Sequence, residues 1–234
     1  MNRELSWLME PAPHRTLAAF RASGALAKLL PEGDALYGIQ QNPTHHPEVC
    51  TGAHIELCLE MAERLGLTPA ARFAVLVHDL GKALTPANEL PRHVGHERHG
   101  LTPVAAVCAR FHLDERTTRL ALLMCEFHLQ VHRVLIARSR SLLHFLVDNG
   151  LEQDRALLEE LAGACEADMR GRLGLSERPY PQGQVLREAH SALQQVPTLA
   201  GYGPSTRQGD MRHKERLGAI RQVLDRTRPG PSSH

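Results

Sequence analysis

His78 and Asp79 end an apolar run, Phe73-Ala74-Val75-Leu76-Val77, and are followed directly by Leu80-Gly81-Lys82. A run of this kind belongs in a core, so the imidazole and carboxylate behind it are expected to be buried as well. Burying such groups without partners costs roughly 2–7 kcal/mol each. A divalent cation removes that cost, because imidazole nitrogen and carboxylate oxygen are both good ligands for it. Further residues of these two types, His54, His96, His128 and Asp168, fall on or at the ends of stretches with helical periodicity.

His54 precedes His78 by the length of a helical hairpin, so antiparallel helices can bring the two together. Asp168, late in a third long helix, would supply a second carboxylate and close a His-His-Asp-Asp shell with positions left for water or phosphate. An open position suits hydrolysis, since water on a divalent cation becomes a nucleophile near neutral pH. His96 and His128 would flank this site, on a second ion or on the phosphate, or else serve as hydrogen-bonded core histidines. Lys82 is placed to neutralise phosphate charge, or to act as a cation at the C-terminal end of its helix. Asp168 has a competing role as a surface acid paired with Arg170 or Arg172. His93, His99 and His132 match no role and read as solvated or supporting residues, while His14, His190, His213 and His234 sit in ordinary surface contexts.

The elements that must position these residues read as helices almost throughout. Period-3.6 patterns dominate, and one Trp, three Tyr, five Phe and few Val/Ile/Thr runs leave little material for strands. The expected order begins with one helix over 15–30, or two short ones around Ser23-Gly24, closed by Pro31-Glu32-Gly33-Asp34 and followed by a polar loop. Helix over 49–65 stops at Gly66. Thr68-Pro69 then supplies an N-cap and a first-turn proline for the helix that carries His78-Asp79. Residues 83–95 read as a long loop, and loops of that length in compact domains are often functional. Helices are expected over 96–111, over 115–132 with Asp114 as cap, and over 138–148, 151–171 and 183–196. A linker over 197–210, a basic helix over 211–226 and a tail over 228–234 complete the chain. This gives an all-α fold in three segments: 1–44 as a helical extension, 45–196 as the bundle with the site, and 197–234 as linker, basic helix and tail.

The 234 residues, 42% hydrophobic and 23% charged, suffice for a sizeable core, and a net charge of +1 points neither toward nor away from nucleic acid. Any basic face must be local. The five cysteines (Cys50, Cys58, Cys108, Cys125, Cys165) show no CxxC spacing and fall mostly on apolar helical faces, as reduced core thiols do. No signal-peptide core and no stretch of 18 apolar residues occurs, so a cytoplasmic protein without a membrane partner is expected. GxxxxGK[ST] and GxSxG motifs are absent, which argues against a phosphate loop and a serine nucleophile.

The order H...HD...H...H...D resembles the signature of the HD-domain metal-dependent phosphohydrolases. Within that group the chain is similar to the C-terminal half of the bacterial CCA-adding tRNA nucleotidyltransferases. The stretches that carry the likeness run from Gly24-Ala25-Leu26 through His46-Pro47-Glu48, Thr51-Gly52-Ala53-His54, His78-Asp79-Leu80-Gly81-Lys82 and Leu84-Thr85-Pro86. They continue with Pro91-Arg92-His93-Val94-Gly95-His96, Glu126-Phe127-His128, Glu166-Ala167-Asp168-Met169-Arg170-Gly171-Arg172 and Tyr180-Pro181-Gln182-Gly183. No stretch with the paired aspartates of that family's nucleotidyltransferase head precedes them, so CCA addition is not expected of this chain alone.

The resemblance implies 2',3'-cyclic phosphodiesterase, 2'-nucleotidase and phosphatase activity on nucleotides or RNA 3' ends, tRNA among them. It implies His54, His78, Asp79 and Asp168 as ligands of nickel, manganese or cobalt, or of magnesium. Asp79 would orient the attacking water, with Lys82 and His128 stabilising charge or assisting the leaving oxygen. Lys82, Arg92, Arg170 and Arg172 are the candidates for touching substrate. Two other readings stand beside this one. The first is an HD nucleotidase for (deoxy)nucleoside monophosphates. The second is a non-catalytic RNA-binding module using Arg212, Lys214, Arg216, Arg221 and Arg226, a set that otherwise reads as a solvated helix face.

Overall fold

The computed structural model describes residues 3–196 and 207–227. The fold is all-α, and no strand forms among the described residues. The α-helices are α1 (Pro13–Ala22), α2 (Leu26–Leu29), α3 (Pro31–Asp34), α4 (Thr51–Arg64), α5 (Pro69–Val77) and α6 (His96–His99). Then follow α7 (Leu101–Arg110), α8 (Glu115–His132), α9 (Ser139–Asp148), α10 (Arg155–Gly171), α11 (Gln182–Gln195) and α12 (Arg207–Thr227). Contacts group the described residues into two units, one within 1–129 and 163–180, the other within 130–162 and 181–234. None of the described helices is long and apolar enough to cross a membrane.

In the first unit, α4 packs against both α1 and α5. Gly66, at φ 65°, ends the first turn after α4 in a left-handed conformation that suits glycine. Thr68 then caps α5, its Oγ1 accepting the Ala71 N–H at 3.2 Å, with Pro69 in the first turn. The run from Phe73 to Val77 is buried throughout, which carries His78 and Asp79 into the interior at the helix end. A second contact brings in α10. A Cβ on Gly171 would lie 2.6 Å from the Cys58 Cα of α4, so a side chain there would force the two backbones apart. That close approach sets Asp168, one turn earlier on α10, beside His54 of α4.

In the second unit, α12 packs on α9 and α11. Its core includes Leu142, Phe145, Leu146, Val185, Leu186, Ile220 and Val223.

Several boundaries differ from the periodicity. Arg3–Met9 forms a 3₁₀ turn that buries Leu5, Trp7 and Leu8, with Trp7 edge-on to Phe20 at 5.8 Å. Of the two alternatives for 15–30, two helices parted at Gly24, which has φ 75°, are the ones that form, and Pro31–Asp34 is a helical turn in place of a closing loop. The 83–95 loop is shorter than expected, because Leu80–Leu84 and Ala87–Glu89 are 3₁₀ turns. The helix expected over 96–111 is divided at Gly100 into α6 and α7. The one expected over 151–171 begins only at Arg155, after Asp154 accepts the Leu157 N–H at 2.9 Å. α12 starts at Arg207, inside the expected linker, and an Asp210–Lys214 pair at 2.8 Å braces its first turns. The rest of that linker, 197–206, and the expected tail, 228–234, lie outside the described residues. His190 and Arg216, expected at the surface, are buried, and Arg216 is ion-paired with Glu152.

Asp114 caps α8, the helix of His128, as expected. Its carboxylate accepts the Thr117 N–H at 2.8 Å and the Thr117 hydroxyl at 2.9 Å, and these bonds lower its pKa. A lowered carboxylate pKa contributes stability that is present above the unfolded value, near 4, and is lost as pH falls through the folded value. Asp114→Ala is expected to cost about 1 kcal/mol at pH 7. In urea titrations the gap from wild type should narrow below about pH 4; a gap independent of pH would show that the charged cap contributes nothing.

Candidate metal centre

Three imidazoles share one arrangement. His78 donates Nδ1–H to the Val75 carbonyl at 2.8 Å, His96 to the His93 carbonyl at 2.7 Å, and His128 to those of Met124 and Cys125 at 3.1 and 3.2 Å. A carbonyl can only accept, so each contact fixes the proton on Nδ1 and leaves Nε2 with a lone pair when the ring is neutral. All three Nε2 atoms face Asp79. His78 Nε2 lies 3.3 Å from Oδ2, His96 Nε2 is 3.3 Å from Oδ1, and His128 Nε2 is 3.9 Å from Oδ1. His96 and His128 also bring their Nε2 atoms within 3.4 Å of each other.

His54, on α4, is oriented by a carboxylate. Its Nδ1 is 2.9 Å from Glu48 Oε1, and its Nε2 faces Asp168 Oδ1 at 3.0 Å. Glu48 in turn holds His46 Nδ1 at 3.0 Å. The other Asp168 oxygen is 3.9 Å from His78 Nε2, joining the two parts of the cluster. His54, His78, Asp79 and Asp168 are each at most 1% exposed.

Electron-rich atoms facing one another in a buried space repel, and a cation between them reverses the sign. The buried His78 Nε2 and Asp79 Oδ1 have no hydrogen-bond partner, although leaving such atoms unpaired costs about 1–3 kcal/mol each. The ligand atoms of His54, His78 and Asp79 lie within 4.8 Å of one another, as do those of His78, His128 and Asp168, and those of Asp79, His96 and His128. Nitrogen and carboxylate oxygen are the donors that first-row divalent ions take, and the residues present fit such an ion.

The electrostatics agree. Burial alone would lower the pKa of His78, but the Asp79 and Asp168 carboxylates outweigh it and raise it. The pocket therefore attracts positive charge, as a proton or a metal. Burial works to raise Asp79, yet His78 and then Lys82 hold it well below the usual carboxylate range. His128 is pulled well below its ordinary value by burial and by the neighbouring His78, which keeps a neutral, lone-pair-bearing ring.

Lys82 lies in the 3₁₀ turn over Leu80–Leu84, 5% exposed. Its ammonium is fixed 2.6 Å from Asp79 Oδ2 and 2.6 Å from Gln41 Oε1, so it is an interior partner of Asp79 and not a cation at a surface helix end. Arg172 comes near, with Nη2 3.9 Å from Asp168 Oδ1 and a buried Nε that has no partner. Arg170 is turned away: Nη1 is bonded to Glu166 at 2.7 Å and Nε to the Ser176 carbonyl at 2.9 Å. Arg92 stands exposed on the loop before α6. His93 ties that loop down, with its ring nitrogens 2.8 Å from Thr85 Oγ1 and 2.9 Å from the Gln40 carbonyl.

Glu48, His46 and Gln41 were not singled out by spacing. Glu48 and His46 belong to the quoted His46-Pro47-Glu48, but a short loop has no period that reveals where its side chains point. Gln41 carried no signal.

A profile of the HD domain matches residues 51–168, and the chain belongs to this family of metal-dependent phosphohydrolases. Among curated relatives it is 41% identical to the Multifunctional CCA proteins of Burkholderia ambifaria and Burkholderia cenocepacia, over 221 residues in each case. To that of Burkholderia vietnamiensis it is 40% identical over 221 residues. These alignments take in 93% of this chain and 54% of each relative, so the chain spans about half the length of the proteins it matches. No solved structure gives a significant match.

Gly81 is the tightest point of the site. A Cβ there would overlap the His96 carbonyl oxygen and come within 2.6 Å of the Gly100 nitrogen. Gly81→Ala is therefore expected to push α6, and His96 with it, away from Asp79 at a cost of about 1–3 kcal/mol. Chemical denaturation would measure it, and a wild-type stability would mean that α6 is not held by this contact.

Proposed function

We propose that this protein is a metal-dependent hydrolase of 2',3'-cyclic phosphates, with 2'-nucleotidase and phosphatase activity on nucleotides or RNA 3' ends. The observation that carries the reading is the convergence of His78, His96 and His128 Nε2 on Asp79, each ring held in place by a main-chain carbonyl. The similarity to the Multifunctional CCA proteins supports the choice of substrate class. A transfer RNA end is one such substrate. All five cysteines are free thiols, which supports a cytoplasmic location.

In this reading His54, His78, Asp79 and Asp168 hold nickel, manganese, cobalt or magnesium. Such an ion supplies Lewis acidity toward a phosphoryl oxygen and makes water a nucleophile near neutral pH. Asp79 uses its unpartnered Oδ1 to orient the attacking water, while Lys82 holds Oδ2 and limits the negative charge that repels phosphate. His96 and His128 present their Nε2 lone pairs, with Asp79, to a second ion, and a direct contact with a phosphate oxygen requires a proton on Nε2. Arg172 offers the phosphate a buried donor without a partner. Glu48 keeps the His54 proton on Nδ1, a role in which a supporting carboxylate contributes about 10–100-fold in metal affinity.

Asp79→Ala should lose both bound metal and release of nucleoside 2'- or 3'-phosphate from 2',3'-cyclic AMP. The assignment does not survive a metal-loaded wild type without turnover, or a fully active variant. A strong preference for 5'-monophosphates over cyclic phosphates would make the protein a nucleotidase instead. RNA binding without any turnover would make it a binding module. Glu48→Gln should weaken metal binding by about tenfold or more in a competitive chelator titration; unchanged affinity removes Glu48 from the site.

A further inference from the structure

The second unit contains a positively charged cleft of about 420 Å³ between the start of α9 and the later turns of α12. Arg138, Ser139 and Arg140 form one wall, and Arg221 with Leu217 and Leu224 forms the other. Asp225 is the acid among the lining residues. These arginines differ from three other basic residues of α12. Arg212 is paired with Glu215 at 2.9 Å, Lys214 with Asp210 at 2.8 Å, and Arg216 with Glu152. Among the described residues, Arg138, Arg140 and Arg221 have no ion pair.

Two further observations point to a ligand. Arg138 is the N-cap of α9 and makes no side-chain cap bond, so the first N–H groups of a ten-residue helix lack an intrahelical or capping acceptor. Helix starts of this kind bind phosphate, and guanidinium groups around them add bidentate donors. Half-buried Leu217 adds an apolar surface, which suits a ribose or base beside its phosphate and has no use for a free inorganic anion.

We propose that this cleft binds the phosphodiester backbone of single-stranded RNA, with Arg138, Arg140 and Arg221 on the phosphates and Leu217 against a sugar or base. The proposal rests on the reading of the protein as one that acts on RNA, and gives that RNA a hold separate from the metal centre. It also moves RNA contact from α12 as a whole to the unpaired arginines that line this cleft.

The test is fluorescence anisotropy on the full chain, in EDTA, with a labelled oligoribonucleotide of about 12 nucleotides ending in a 3'-hydroxyl. Under these conditions binding is read without turnover. The triple variant Arg138→Gln, Arg140→Gln, Arg221→Gln is expected to bind at least about tenfold more weakly. Its slope of log K against log salt should be shallower by about 2, the value for losing three single-strand phosphate contacts. Lys214→Gln, which removes a paired cation, should bind as wild type does, and a melting curve for each variant checks that it is folded. Wild-type affinity and slope in a folded triple variant would overturn the proposal. So would wild-type protein that ignores RNA but binds anionic phosphatidylserine vesicles through these arginines. Failure of cyclic-phosphate hydrolysis leaves this binding result intact, and unchanged RNA binding leaves the hydrolysis result intact.

Discussion

Mutual repulsion among buried electron-rich atoms is the constraint around which the first unit is built. Imidazole nitrogens and carboxylate oxygens from α4, α6, α8, α10 and the turn after α5 are brought together in a buried space. Main-chain carbonyls hold three of the rings in the tautomer that makes the repulsion worst. Lys82 relieves part of it, and the Asp79 and Asp168 carboxylates raise the proton affinity of His78. The remaining unpartnered atoms on His78 and Asp79 are what a divalent ion would satisfy. Without a cation the cluster is a strained arrangement, so cation binding and the stability of this unit are thermodynamically linked.

Holding such a cluster together requires that the elements around it come unusually close. Gly171 lets α10 touch α4, and Gly81 lets the turn after the His78-Asp79 pair touch α6. These contacts act on backbone, where rotamer changes offer no relief, so a single methyl group would move a whole helix. Hydrogen bonds then set the finer geometry. Glu48 aims His54, Gln41 and Asp79 hold Lys82, and His93 ties the loop before α6 to Gln40.

Charge is organised by the same logic in the second unit. Most cations of α12 that the sequence offers as an RNA-binding face are neutralised by nearby acids, and Arg216 is buried. Net charge near zero thus conceals a local surplus at the start of α9. The surplus arises from Arg138 and Arg140, outside the helix that composition made conspicuous.

Much of the helical layout and the chemistry of the principal residues were legible in the amino-acid order. The apolar run from Phe73 to Val77 has to be buried, so His78 and Asp79 follow it inside, and Thr68-Pro69 and Gly66 mark helix ends through local sterics and capping. Those effects act over a few residues and can be read in one dimension. The division of the 96–111 helix at Gly100, the position of Lys82 over Asp79 and the partnership of Glu48 with His54 were not legible in that way. Nor was it legible that Arg170 turns away while Arg172 turns in, or that α8 and α10 each contribute to both units. These outcomes depend on contacts between residues distant in sequence. Periodicity says which face of a helix is apolar, but only packing sets which polar side chain meets which partner.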